Sequence, residues 1–239
     1  MELVGILIGE IVMTIILAGL FRTNTKTIKE IVENEELDKI ANQFPENKEI
    51  CQSILKMLGN EKVNMKENEN PDRQASLYIA VTDTIWIANI KESYTRIQTI
   101  AHECLHSIQN RKMLLFNFIY SNIYLLYFVL SILLTMIGVF HNYNLQIIIL
   151  IGLSCIYYIV RSYLETDAMT KAKFLAKTYM VEYSKQNTNI TNQQIEALVE
   201  SYGKMNEIGI PTTLFILFFN SISKVGIYTI LAIILTIFF

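Results

Sequence analysis

The sequence predicts a mainly α-helical membrane protein in which about four apolar helices accompany a small α+β element. Hydrophobic residues make up 52% of the 239 residues. They are concentrated in long runs rather than spread at the spacing of a soluble core, which is typical of a chain that crosses a bilayer several times. Two long polar segments separate these runs, and they are the parts able to build a folded unit in water.

The runs divide the chain into five predicted segments. These are an N-terminal membrane anchor (1–21), a cytoplasmic segment with a β-hairpin and a motif-bearing helix (22–112), a membrane helical hairpin (113–164), a cytoplasmic helical segment (165–210) and a C-terminal apolar membrane segment (211–239).

The first apolar run, residues 3–21, is interrupted only by Glu10. Basic residues follow the run, at Arg22 and Lys26, whereas a signal peptide carries its basic residues before the apolar core. We therefore interpret the run as a retained anchor. An ionisable side chain is costly in lipid, and we expect Glu10 to reach water near one end of the helix rather than to face the bundle interior.

The first polar segment predicts four elements in order. An amphipathic pattern indicates a helix at 50–58, and a polar stretch at 62–73 indicates a loop. Residues rich in Ile, Val, Tyr and Trp at 77–81 and 85–90 flank a short polar turn and favour a β-hairpin. A helix is predicted from 94 through 109. Such a hairpin either offers an edge strand to an extended substrate or only covers the core, and both interpretations remain open.

The later part of the chain predicts long helices. Apolar runs at 113–140 and 145–160 form a helical hairpin, and the second crosses a core of about 30 Å only if its helix continues past residue 160. Residues 161–209 are polar and predicted to be helical. The last run, 212–239, is interrupted at 220–224, so whether it spans the bilayer, tilts or lies in the interface is left open.

The distribution of charge predicts the orientation and excludes one class of partner. Lys and Arg flank the anchors only on the side of the two polar segments, which the positive-inside rule places in the cytoplasm. The chain is therefore expected to be a multi-pass protein of the cell membrane. The formal net charge is −2 and no basic stripe alternates with aromatics, so no nucleic-acid partner is expected. The flanking residues are Arg22, Lys26, Arg111, Lys112, Arg161, Lys171 and Lys173.

The motif that carries chemistry is His-Glu-Cys-Leu-His at residues 102–106, which contains two of the three histidines of the chain. Residues i and i+4 share one face of a helix, so the imidazoles of His102 and His106 can bind one Zn²⁺. Glu103 then lies near the open coordination position, where it can act as the catalytic base.

A catalytic zinc site needs a third protein ligand. His141 lies in the predicted joint on the far side of the membrane, so the ligand must be a carboxylate on the cytoplasmic side. We predict Glu165, with Asp167 as its nearest competitor. Small residues spaced by four follow Glu165 and would let its helix press closely against the motif helix. These are Ala168, Ala172 and Ala176.

Both motifs resemble those of the bacterial neutral zinc metallopeptidase family, integral-membrane proteins with roughly HEVGHAIQ followed by ExxAxxxA. Residues 102–109 match the first motif at both histidines, Glu103, Ile108 and Gln109. The second motif is matched at all three of its positions, from Glu165 to Ala172. Leu105 and Ser107 depart from the pattern. The resemblance implies hydrolysis of a peptide or membrane-protein substrate of unstated identity, and it leaves the oligomeric state open.

Three alternatives remain at this stage. Heat-shock-associated and prenyl-protein membrane proteases also combine HExxH with a later acidic motif, ExxxD, but position 169 is Met here. A non-catalytic membrane protein could keep a degenerate metal site, and in a small transporter or immunity protein the motif would be accidental.

Arg96, Tyr163 and Tyr179 are candidates for stabilising an oxyanion, and the sequence does not choose among them.

Overall fold

The computed structural model describes residues 2–21, 33–67, 76–88, 90, 93–187 and 189–238, and these residues form seven α-helices and one small sheet. The prediction of a mainly helical chain with a small β element is therefore confirmed. Arg22, Lys26 and the later part of the loop predicted at 62–73 lie outside the described residues. The helices are α1 (Glu2–Leu20), α2 (Glu35–Ala41), α3 (Asn47–Met57), α4 (Arg96–Ile108), α5 (Arg111–Met136), α6 (Tyr143–Gln186) and α7 (Asn192–Phe238). The strands are β1 (Asn64–Glu67), β2 (Leu77–Ile79) and β3 (Thr84–Ile87).

Four helices, α1, α5, α6 and α7, are long and apolar enough to cross a membrane, as predicted. Helix α6 continues without a break from Tyr143 to Gln186, which is the continuation past residue 160 that a crossing by the third run requires. Helix α7 also continues through the polar interruption at 220–224 and contains Pro211. The last apolar run is thus part of a helix long enough to span a bilayer.

The chain forms two compact units. The first, here called the apolar unit, comprises residues 1–23, 116–163 and 211–239, and the second, the mixed unit, comprises 24–115 and 164–210. The two units follow the division of the sequence into long apolar runs and polar segments. Whether the apolar unit lies in a membrane stays a prediction.

The sheet of the mixed unit has the order β1-β3-β2, with β1 parallel and β2 antiparallel to β3. The predicted hairpin is confirmed as β2 and β3, and its turn places Asp83 at a φ of 48°. The prediction of a loop at 62–73 is wrong over β1. The sequence Asn-Met-Lys-Glu has little β propensity of its own, and its strand exists because β3 supplies a partner for its backbone.

The core of the mixed unit is apolar and includes one charged side chain. Arg96 is 3% exposed and donates hydrogen bonds of 2.8–2.9 Å to the carbonyls of Ala41, Phe44 and Pro45 and to Asn47 Oδ1. Because a buried cation needs such acceptors, Arg96 holds together the turn between α2 and α3. Both terminal nitrogens of its guanidinium are engaged in structure, and the buried side chain is not presented to a substrate.

The interior of the apolar unit contains hydrogen-bonded polar side chains. The hydroxyl oxygen of Tyr124 lies 2.6 Å from Ser154 Oγ, and the hydroxyl oxygens of Thr135 and Tyr228 lie 2.8 Å apart. Many large apolar side chains of α1, α5 and α6 face outward. Glu10 contradicts our expectation that it reaches water, because it is only 8% exposed and is the one buried residue among those described in α1.

Candidate metal centre

Helix α4 places two imidazoles side by side. Its apolar residues, such as Ile97 and Cys104, are fully buried and fix the rotation of the helix. Because the face that carries these residues packs in the core, the four-residue spacing brings His102 and His106 together on a neighbouring face. Their Nε2 atoms are 3.0 Å apart, and their rings meet edge to face with centroids 4.5 Å apart.

Glu165 of α6 completes the group. Its Oε2 lies 3.4 Å from His102 Nε2 and 3.6 Å from His106 Nε2. One ligand atom from each of the three residues lies within 4.8 Å of the other two, so the group could hold a metal ion. Ligand atoms about 2.0–2.2 Å from a tetrahedral metal are separated by roughly 3.3–3.6 Å. The observed separations are close to that range, and the donor set therefore fits a tetrahedral ion.

The small residues after Glu165 lie in the core of the mixed unit. Ala168, Ala172 and Ala176 are each no more than 1% exposed and belong to the same apolar cluster as α4. A larger side chain at these positions would not fit this core without displacing its neighbours. The alanine spacing noted in the sequence is therefore a feature of core packing.

Asp167, the competing acid, is engaged elsewhere. Its carboxylate contacts Lys171 Nζ at 2.5 Å and accepts a hydrogen bond of 3.1 Å from Gln109 Nε2. The neighbouring Lys171 holds the pKa of Asp167 below its usual value. Among the described residues, Glu165 and not Asp167 lies in the group with the histidines.

Glu103 lies beside the histidines and is fixed by the sheet. The backbone N–H of Tyr78 in β2 donates a hydrogen bond of 2.7 Å to Glu103 Oε2, while Oε1 lies 4.0 Å from His102 Nε2. Burial raises the pKa of Glu103, although His102 and His106 act in the opposite direction. A buried carboxylate with a raised pKa accepts a proton more readily than one in water, as a general base requires.

Gln109 connects the two helices that carry the ligands, a role the sequence analysis did not assign. Its Oε1 lies 2.8 Å from His106 Nδ1, and its Nε2 donates to Leu164 O at 2.9 Å as well as to Asp167. Since Nε2 is the donor, Oε1 accepts from Nδ1–H of His106. That tautomer leaves the Nε2 lone pair of His106 directed at the group. Gln109 lies three residues after His106, a spacing at which two side chains of a helix can contact each other. The sequence therefore did contain a signal for this hydrogen bond.

Burial and charge act on His106 in opposite directions. Burial alone would lower the pKa of His106, but the carboxylates of Glu165 and Glu103 raise it by more. The two neighbouring carboxylates thus favour positive charge on His106. A bound cation would supply that charge in place of a proton.

Two cysteines that are distant in sequence meet behind the motif. Cys51 of α3 and Cys104 of α4 are fully buried free thiols whose Sγ atoms lie 3.6 Å apart. Burial raises the pKa of the Cys104 thiol well above its usual value. Both thiols face the core and not the histidines, so we assign them to packing of α3 against α4.

Two of the three sequence candidates for an oxyanion stabiliser, Arg96 and Tyr179, are not brought to the group. Arg96 is engaged by backbone carbonyls, as described above. Tyr179 comes fourteen residues after Glu165 in the same helix, about 21 Å further along its axis. Tyr163 is 60% exposed. An oxyanion-stabilising residue is therefore not assigned.

Comparison of the chain with protein-family models, with curated proteins and with solved structures gave no match. The fold and the site together define a mainly helical chain with four candidate membrane spans and a His/Glu group able to hold a metal ion. The resemblance to zinc metallopeptidases rests on the motif residues and stays a prediction.

Proposed function

We propose that this chain is a membrane-embedded zinc-dependent metallopeptidase that hydrolyses peptide bonds at the cytoplasmic surface of the cell membrane. One observation carries the proposal. His102, His106 and Glu165 present three ligand atoms within 4.8 Å of one another, and the buried carboxylate of Glu103 lies next to them. Two imidazoles and one carboxylate, with a neighbouring acid, form the donor set of many zinc hydrolases.

The chemistry of the donors favours zinc. Imidazole nitrogen together with a single carboxylate suits Zn²⁺, whereas Mg²⁺ and Ca²⁺ prefer sites built from oxygen. Three protein ligands leave a fourth position for water or substrate. Zinc, when bound, would polarise the substrate carbonyl and lower the pKa of its water.

A side chain of the protein transfers the proton during hydrolysis. Glu103 takes a proton from the attacking water at a carboxylate oxygen and later delivers it to the leaving amine. The Tyr78 amide keeps the Glu103 carboxylate oriented, and Gln109 keeps His106 in the tautomer that binds a metal. Strand β2 is at the edge of its sheet, and Glu103 already accepts from the outward N–H of Tyr78, so only the remaining backbone groups of that edge could pair with an extended substrate.

Sequence position supports a location at the membrane surface. Helix α6 carries the third apolar run, and Glu165 follows that run directly in the same helix. The Lys and Arg residues that flank the apolar runs at 3–21, 113–140 and 145–160 lie on the side of the polar segments, which supports the cytoplasmic side. Substrates are expected to be peptides or membrane proteins cut close to the bilayer.

The heat-shock-associated and prenyl-protein type is disfavoured by the residue four positions after Glu165. That residue is Met169, whose side chain lies beside Gly209 and whose carbonyl accepts a hydrogen bond from Asn206. The position offers no acid. A non-catalytic protein with a degenerate metal site is distinguished only by experiment.

The test compares the native chain with Glu103→Gln, both purified in lipid nanodiscs. Glutamine keeps the size and polarity of the side chain but cannot take up a proton. We expect about one zinc per chain in both proteins, and cleavage of a membrane-proximal peptide at least about a hundredfold slower in the variant. The matched control is Glu182→Gln, an exposed acid paired with Lys185 on α6, which should cleave normally.

Three outcomes would contradict the proposal. If the folded native chain holds no zinc and binds none on titration, the site is not a zinc centre. If Glu103→Gln retains zinc and cleaves as fast as the native chain, Glu103 is not the base. Zinc binding without cleavage by the native chain would favour the non-catalytic alternative.

A further inference from the structure

The part of helix α7 that belongs to the apolar unit carries one charged side chain, Lys224. This part begins at Pro211, and the helix ends at Phe238. Lys224 therefore lies about 20 Å along the helix from either of these residues, near the middle of a candidate span. An ionisable side chain at such a depth is costly in lipid and is a candidate for a functional contact.

Two aromatic rings of α5 and α6 surround the ammonium of Lys224. Its Nζ lies 5.1 Å from the ring centre of Tyr124, which is halfway along α5, and 6.0 Å from that of Tyr157. The hydroxyl of Tyr124 is hydrogen-bonded with Ser154, so Tyr124 offers Lys224 its ring and not its oxygen. Cation–π contacts stabilise the positive charge but do not neutralise it.

No acid neutralises Lys224 within the part of the chain that the structure describes. Its Nζ donates a hydrogen bond of 2.9 Å to the backbone carbonyl of Asn220 in the same helix. The acids of the apolar unit are Glu2 and Glu10. Glu2 lies in the first turn of α1, and Glu10 is buried with no hydrogen-bond partner for either carboxylate oxygen. Since an ammonium has three donors, Lys224 can bind further acceptors.

An exposed face of α7 lies beside Lys224 and contains a second donor. Asn220 precedes Lys224 by four residues, a spacing that places two side chains next to each other on a helix. Asn220 is exposed, and so are Ile216 and Ile227 on the same side of the helix. This face, with Lys224 at its edge, is here called the docking face. It is apolar except for an amide and an ammonium, which can both donate hydrogen bonds to one carboxylate.

We propose that the docking face binds a membrane-spanning helix of another protein that carries Asp or Glu near mid-depth. Lys224 and Asn220 donate to its carboxylate, and its apolar side chains pack against Ile216 and Ile227. In lipid, polar contacts of this kind join helices, because apolar side chains gain nothing by leaving the lipid tails. A second copy of the chain does not fit, since the acids of its apolar unit lie at a helix end or are buried.

The docking face requires the membrane placement of the proposed function but not its zinc chemistry. Lys224 is not a member of the group formed by His102, His106 and Glu165. Variants of Lys224 should therefore keep the zinc content of the native chain, and binding of a helix can be measured without any cleavage.

The experiment measures binding of a leucine-rich membrane-spanning peptide to the full chain in phosphatidylcholine nanodiscs. One form of the peptide has a central glutamate, and the other has a glutamine of the same size. We expect the glutamate form to bind about tenfold more tightly, because a carboxylate gains charge-assisted hydrogen bonds from Lys224. Lys224→Met should abolish this preference, whereas Lys224→Arg retains the charge and should keep it. Asn220→Leu should reduce the preference by about two- to threefold.

A lysine of the mixed unit provides the matched control. Lys173 Nζ lies 5.0 Å from the ring centre of Phe174, a similar contact, and Lys173→Met should bind both peptides as the native chain does. Equal binding of the two peptides by the native chain would overturn the proposal, as would a preference that persists in folded Lys224→Met. A folded chain that does not enter nanodiscs would instead refute the membrane placement, and with it both this proposal and the location given in the proposed function.

Discussion

The mixed unit and the apolar unit both bury apolar side chains, but they differ in the polar groups they bury and in the side chains they expose. In the mixed unit the interior is a continuous apolar cluster, and its buried cation, Arg96, has four acceptors. In the apolar unit the interior contains paired hydroxyls, such as Thr135 with Tyr228, while side chains such as Ile15 and Ile159 are more than 60% exposed. Exposure of that kind is unfavourable in water and neutral in lipid.

The difference is the one expected of a chain that folds partly in water and partly in lipid. Apolar burial stabilises the mixed unit, so the elements that position the candidate metal centre are fixed by water exclusion. In a bilayer that driving force is absent between helices, and polar contacts and close packing take its place. Glu10 departs from this pattern, because it is a buried carboxyl group for which the apolar unit provides no hydrogen-bond partner among the described residues.

The largest expected effect tests whether the polar groups of the mixed unit form a specific centre. Glu165→Ala removes one ligand, and the zinc content should fall from about one per chain to less than about a tenth after dialysis. Asp167→Ala removes a neighbouring acid that contacts Lys171 and should retain the metal. Elemental analysis measures both, and equal loss of zinc from the two variants would refute the assignment of Glu165.

The second effect tests the buried cation of the mixed unit. Arg96→Met leaves four acceptors without their donor and should destabilise the unit by about 3–5 kcal/mol. Faster hydrogen–deuterium exchange in α3 and α4 would report it. Arg111→Met, at an exposed position, should change stability by less than about 0.5 kcal/mol. Unchanged exchange in Arg96→Met would show that the apolar cluster alone holds these helices.

The third effect concerns the bridge between the ligand helices. Gln109→Leu removes the acceptor for His106 and the donor to Leu164, so zinc affinity should fall by about 10–100-fold. Competition with a chelator measures the affinity, and Gln52→Leu, at an exposed position, is the control. Native affinity in Gln109→Leu would mean that the bridge is incidental.

The smallest effect belongs to the apolar unit. A double-mutant cycle of Thr135→Val and Tyr228→Phe should give a coupling energy of about 0.6 kcal/mol, the average for hydrogen bonds between membrane helices. Unfolding in mixed micelles provides the measurement. A coupling energy near 3 kcal/mol or above would be as large as the destabilisation expected for Arg96→Met. It would weaken the contrast between the two units.

Much of the architecture could be predicted from local patterns. Long apolar runs predicted the four candidate spans, and residues 94–109 predicted α4, because hydrophobic periodicity and helix length are properties of neighbouring residues. The pairing of His102 with His106 follows from helix geometry alone. Glu165 was predicted from the chemistry of zinc sites, because a third metal ligand was needed and the predicted topology excluded His141.

Other features depended on contacts between distant residues. Strand β1 exists because β3 offers it hydrogen bonds, and its own residues give no sign of a strand. The sequence suggested that Arg96 could stabilise an oxyanion and that Glu10 could reach water, but the turn between α2 and α3 engages the first and α7 covers the second.

The sequence by itself determined the helices, the spacing of the histidines and the kinds of donor available. Only the tertiary structure decided which acid meets the histidines, how Gln109 joins their helices and where the charge of Glu10 is buried. The physical reason is that helix formation and side-chain periodicity are local, whereas hydrogen-bond partners and burial are set by residues that lie fifty or more positions apart in the chain.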